Sequence, residues 1–247
     1  IFTPENVKEG EKLPVLVYIH GGGFTGGCGH EKHFDGPLWP KHNVIGVTIN
    51  YRLGPMGFAC LPQLEQEAGH TGNYGLYDQM TAISWVKDNI AAFGGDSENI
   101  TIMGQSAGGA SVQLQSQSPL TEGMFQKAVM SSGCGLASVM GSFLPEKSYD
   151  FWHAVMERCG CATLEEFRAL DPAILFAEWQ KAKKEIKGGQ AATSPVIDDV
   201  FNVKDSKPHD ISYMAGSTSH DVMPPMLYAM AKSFCSKREK PSYLWYF

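Results

Sequence analysis

Short apolar runs rich in β-branched residues punctuate the chain, separated by stretches in which apolar positions recur every three or four residues. Leu13-Pro-Val-Leu-Val-Tyr-Ile19 and Val44-Ile-Gly-Val-Thr-Ile-Asn50 are runs of the first kind, each bounded by glycine, proline or polar residues. Near-continuous runs of this type are the pattern of strands covered on both faces, and they imply a parallel sheet. Asn99-Ile-Thr-Ile-Met-Gly104 is a third. Between the second and third, Leu76, Met80, Ile83, Trp85, Val86 and Ile90 keep an approximately helical period from Leu76 to Phe93. This gives a strand, helix, strand crossover. A helix over Ser106 to Gln117 and a strand over Phe125 to Ser131 continue the alternation that a doubly wound sheet requires.

From Pro145 to Lys187 the composition shifts to helix formers, with Phe151, Val155, Phe167, Leu170, Ile174, Leu175, Phe176 and Trp179 on apolar faces. The segment 145–187 reads as a helical insertion or cap within a single domain spanning 1–247. Ile211 to Ala215 and Ser242 to Phe247 read as two further strands. The second runs off the end of the chain, and Ile1 opens the sequence without a methionine, so the domain is expected to be incomplete at both ends.

Composition narrows the class. The 247 residues are 43% hydrophobic and 19% charged, enough to bury a sizeable core and too apolar for a disordered chain. A formal net charge of -6 disfavours nucleic acid and anionic lipid as partners. The one dense basic run, Lys181, Lys183, Lys184 and Lys187, reads as a solvated helix face. No apolar run approaches the length of a membrane span, and no signal peptide is visible, which slightly favours a cytoplasmic location; with the N-terminus expected to be cut, localisation stays open. Six irregularly spaced cysteines in a chain of this size read as free thiols; Cys159 and Cys161 have no zinc-type spacing around them. Neither a metal nor an organic cofactor is called for.

Two motifs carry chemistry. Gly104-Gln-Ser-Ala-Gly108 falls between a predicted strand and a predicted helix, the context that makes G-x-S-x-G a nucleophile elbow. The pattern by itself is weak, since chance would give it roughly 0.2 times at this composition. A serine N-cap after a glycine turn is its bland alternative. His20-Gly-Gly-Gly-Phe24 follows the first clear strand and is far more specific, with roughly 0.01 chance occurrences. Consecutive glycines let backbone N–H groups approach a carbonyl oxygen that becomes an oxyanion. Gly22, Gly23 and Ala107 are therefore the candidate oxyanion donors, and Ser106 is the candidate nucleophile.

Six motifs stand in the order found in type-B carboxylesterases, the family that includes the cholinesterases. They are Ile1-Phe-Thr-Pro-Glu5, His20-Gly-Gly-Gly-Phe24, Asn50-Tyr-Arg-Leu-Gly54, Gly72-Asn-Tyr-Gly-Leu-Tyr-Asp-Gln79, Asn89-Ile-Ala-Ala-Phe-Gly-Gly-Asp96 and Gly104-Gln-Ser-Ala-Gly-Gly109. The chain resembles an internal part of that family, densely from Ile1 to Gly133 and thinly afterwards. The resemblance implies an α/β-hydrolase fold and hydrolysis of a small-molecule carboxylic ester through an acyl-serine intermediate. Gln105 stands where many members carry glutamate.

The resemblance also implies a triad acid in a short loop after a late strand. Ala215-Gly-Ser-Thr-Ser-His-Asp221 stands there, which makes Asp221 the candidate, where the family more often has glutamate. Either carboxylate can hold an imidazole in its working tautomer. The order expected of this fold is serine, acid, histidine, and none of the eight histidines follows Asp221. The histidine is thus expected downstream of Phe247, which would leave these residues catalytically incomplete by themselves. The competing reading is a non-catalytic binding or adhesion-type relative of the same fold. Arg52 and Asp78 are expected, from the resemblance, to form a buried ion pair. Trp39, Phe24 and Tyr51 are read as packing, and Asp198 and Asp199 as a turn.

Overall fold

The computed structural model describes residues 1–8, 10–32, 36, 38–135, 144–187, 189, 193–218, 221 and 243–246. Six strands form one sheet: β1 (Leu13–Ile19), β2 (Ile45–Thr48), β3 (Gly95–Gln105), β4 (Lys127–Ser131), β5 (Ser212–Gly216) and β6 (Tyr243–Tyr246). They lie in the order β2-β1-β3-β4-β5-β6, and every pairing is parallel. The register places Val17 between Val47 and Ile102, and Ala128 between Ile102 and Tyr213. Val15, Val17, Ile19, Ile45, Ile100, Ile102 and Ala128 are all buried. That burial explains the unbroken apolar runs: a parallel strand covered on both faces has no water-facing positions to make polar.

The crossovers are α1 (Gly54–Phe58), α2 (Pro62–Ala68) and α3 (Tyr74–Asn89) between β2 and β3, and α4 (Ala107–Gln115) between β3 and β4. Helix α3 ends in a short 3-10 turn over Ile90–Phe93 that Gly94 closes in the left-handed conformation. All nine residues of α4 are buried, so this helix has no polar face. A buried polar network ties it to α3. Gln79 Nε2 donates to Ser111 Oγ at 3.0 Å, Ser111 Oγ donates to the Ala107 carbonyl at 2.9 Å, and Gln115 Nε2 donates to the Leu76 carbonyl at 2.9 Å.

The segment 145–187 contains α5 (Glu146–Arg158), α6 (Leu164–Arg168) and α7 (Pro172–Glu185). A capping box at Thr163 and Glu166 starts α6, and Asp171 followed by Pro172 starts α7. Their apolar faces build a second core from Phe151, Trp152, Val155, Phe167, Leu175 and Trp179, closed by Ala59, Cys60 and Leu61 from the α1–α2 joint. The lysines of α7 lie on its outer side, with Lys181, Lys184 and Lys187 exposed and Lys183 seated 4.4 Å above the Trp179 ring.

Helices α1 and α2 are not anticipated from the sequence. Both carry a proline in the first turn, and Gly69 closes α2 in the left-handed conformation. Pro62 and Gly69 are start and stop signals, but at five and seven residues the two helices are too short to show a helical period. Among the described residues, no helix is long and apolar enough to cross a membrane, and no group of three metal-ligating side chains comes together. Cys28, Cys60, Cys134, Cys159 and Cys161 are free thiols; Cys235 lies outside the described residues.

Candidate active site

Parallel strands deliver their following loops to one edge, and three of the segments singled out in the sequence leave that edge. His20 to Phe24 follows β1, Ser106 follows β3, and Asp221 lies five residues after the end of β5. The edge is knitted at the backbone: Ser106 N–H donates to the Ser131 carbonyl at 3.0 Å, and Ser132 N–H to the Gly216 carbonyl at 2.7 Å. Ligand sites of open α/β sheets sit outside the carboxyl ends of the strands, where this edge lies.

Ser106 has φ 56° and ψ -124°, a conformation that L residues rarely adopt. The strain is imposed by what surrounds it. A Cβ on Gly104 would stand 2.4 Å from the Gly108 carbonyl carbon, one on Gly108 would stand 2.2 Å from the Ile19 carbonyl oxygen, and one on Gly133 would stand 2.3 Å from the Ser106 carbonyl oxygen. Three glycines thus let β3, α4 and β1 meet closely enough to turn the chain at Ser106. Gly133 is the partner that motif reading misses; its signal is its position two residues past the end of β4. Ala107 opens α4, so its N–H belongs to the unsatisfied first turn of a helix, where the macrodipole favours negative charge.

The glycine loop folds on itself. Gly22 has φ 104° and Gly23 φ 63°, and the Gly22 carbonyl accepts N–H bonds from Thr25 and Gly26, both at 3.1 Å. His20 is the buried post of this loop. Its Nδ1–H donates to the Gly21 carbonyl at 2.8 Å, and its ring stacks on Tyr51 with centroids 4.5 Å apart. Tyr51 Oη donates in turn to the His20 carbonyl at 3.0 Å. Burial lowers the His20 imidazole below its ordinary value, against smaller upward pulls from the Gly21 carbonyl and Glu31. Burial likewise raises the Tyr51 hydroxyl, which stays protonated as a donor. Phe24 is fully buried and Trp39 packs against Gly46, so the aromatic residues near the loop serve as packing.

A hydroxyl lifted off a strand end, beside a glycine loop and a helix N-terminus, is the arrangement of a serine acyl-transfer site. The Carboxylesterase family matches residues 1–244. This chain belongs to the carboxylesterase family. It is 38% identical over 244 residues to the bile salt-activated lipase of Homo sapiens, covering 90% of this chain and 31% of that protein. It is 37% identical over 224 residues to the para-nitrobenzyl esterase of Bacillus subtilis, covering 80% and 44%. A solved Geobacillus stearothermophilus carboxylesterase superposes with TM-score 0.75 at 33% identity, over 87% of this chain and 47% of that one. The fold is that of the α/β hydrolases, of which this sheet and its helices form a part. The chain spans less than half the length of each of these relatives.

Asp221 N–H donates to the Thr218 carbonyl at 3.2 Å. Among the described histidines, His20 is engaged by Gly21, and His209 Nε2–H donates to the Ser118 carbonyl at 2.9 Å. His33 and His220 lie outside the described residues. Asp198 accepts the N–H groups of Phe201 and Asn202, each at 2.9 Å, as a turn residue does. Arg52 and Asp78 do pair, through Nε and Nη2 at 2.8 Å each, but their side chains are 50% and 27% exposed. The expected burial of this pair is corrected: family likeness supplies the partner, whereas exposure depends on what packs above it.

Proposed function

We propose that the protein is a serine carboxylesterase in which Ser106 is the nucleophile. Ser106 Oγ attacks the ester carbonyl carbon; the new C–O bond forms as the carbonyl electrons move onto oxygen, and the Gly22, Gly23 and Ala107 amides hold that oxyanion. Collapse of the intermediate expels the alcohol. The proton from Ser106 passes through a histidine to the departing oxygen, and water then hydrolyses the acyl-serine by the same route. Asp221 orients that histidine. In the chain order of this fold the histidine follows the acid. The helices of 145–187 bound the substrate region, and no metal or organic cofactor takes part.

The observation that carries this reading is the strained φ of Ser106 at a strand-to-helix turn, with the glycine loop packed against it. Such strain persists where the surroundings over-determine it and clusters at functional sites. The test is hydrolysis of a para-nitrophenyl ester by the natural protein and by Ser106→Ala. The expected loss is ~10⁴-fold or more in kcat, with KM little changed. Equal turnover by the variant would remove Ser106 from the chemistry. Absence of turnover in the natural protein itself would favour the non-catalytic binding reading.

A further inference from the structure

A second concave site lies away from Ser106. A cleft of about 270 Å³ opens between the α1–α2 segment, the start of α3 and the helices α6 and α7. Neither Ser106 nor any residue of the glycine loop lines it. Its walls are apolar, with Met56, Leu64, Phe167 and Leu175 prominent, and Met56 is 50% exposed. An unbranched thioether side chain left half in water at the mouth of an apolar cleft is an adaptable contact surface.

The charge of the lining is one-sided. Among the described residues, the ionised side chains lining it are Arg52 and Arg168. Each guanidinium is about half exposed and held on one side by a carboxylate that does not line the cleft: Arg52 by Asp78, and Arg168 by Glu67 through Nη2 at 2.8 Å. Arg52 also lies over the Tyr74 ring, 5.5 Å from its centroid. A guanidinium carries five donors in a fixed fork, so both arginines are oriented by their carboxylates and keep N–H groups for another acceptor.

We propose that this cleft is a binding site for a single-chain amphiphile with an anionic head, of the medium-chain fatty carboxylate type. The chain lies against Met56, Leu64, Phe167 and Leu175, and the head accepts from Arg52 and Arg168. The volume is just below the ~300–1,000 Å³ of drug-sized sites, which suits one acyl chain better than a fused ring system. The proposal does not depend on the esterase reading.

The test is calorimetric titration of the Ser106→Ala protein with sodium dodecanoate below its micelle concentration. Two variants at exposed positions report on the cleft: Met56→Glu places a carboxylate at its mouth, and Arg168→Gln removes one cation. The expected result is saturable binding at one site, weakened about tenfold or more by Met56→Glu and severalfold by Arg168→Gln. Dodecyltrimethylammonium should bind far more weakly than dodecanoate. Binding that is absent, unweakened by either cleft variant, or present only with Ser106 in place would overturn the proposal. Circular dichroism melting of both variants confirms that the fold is kept.

Discussion

Gly21 lies against the Ser106 turn so closely that a methyl group on its Cα would stand 2.6 Å from the Gln105 carbonyl oxygen and 3.3 Å from Ser106 Cβ. The first glycine after His20 is therefore a spacer that sets how near the loop can come to the hydroxyl. Gly21→Ala must push the loop away, because the nearest obstacle is backbone and cannot swing aside. A displacement of about 1 Å in a positioning loop lowers acyl transfer by about 10²-fold. The expected outcome is that loss in kcat/KM, with the far-ultraviolet dichroism unchanged. Full activity would show that the loop does not position the reacting groups.

The Arg52 and Asp78 pair makes a second prediction. Its geometry is bidentate, and Arg52 N–H adds a third bond to Asp78 Oδ2 at 2.9 Å, yet half of the Arg52 side chain meets water. Solvent screening then holds the contribution near that of exposed pairs. Asp78→Asn is expected to lower stability by about 1 kcal/mol in urea unfolding. A loss of several kcal/mol would mean that further chain covers this pair in the natural protein.

The His20 imidazole gives a pH signature. Its protonation constant is lowered by burial in the fold and stands near 6.5 in the unfolded chain. Between those two values the unfolded state binds the extra proton, so stability rises with pH across the window and is lost as pH falls below 6.5. His209 is shifted in the same direction by burial and adds to the effect. The melting temperature is expected to fall between about pH 7.5 and 5.5, and His20→Asn should make the fall shallower. Identical slopes in both proteins would show that His20 is not held neutral.

How far the sequence revealed this molecule depended on what each signal encodes. The runs at Leu13 to Ile19 and Val44 to Asn50 lie in parallel strands because burial on both faces leaves a direct mark on composition. The strand-to-helix turn at Ser106 was legible because two glycines and a serine at fixed spacing answer a steric demand. Helices α1 and α2 were not, since five and seven residues cannot display a period. Gly133 was missed for a different reason: it approaches the Ser106 carbonyl from another strand, and no local spacing encodes a contact between strands. Likewise, the motifs carrying Arg52 and Asp78 held the pairing but not its exposure.

The proposed chemistry rests on Ser106 being an activated nucleophile. Its most direct test is treatment of the natural protein with an organophosphonate, followed by mass spectrometry of the intact chain and its peptides. One adduct per chain is expected, located on Ser106 and lost in Ser106→Ala. An unlabelled Ser106, in natural protein whose intact mass shows that it ends at Phe247, would contradict it and leave an esterase scaffold without the chemistry.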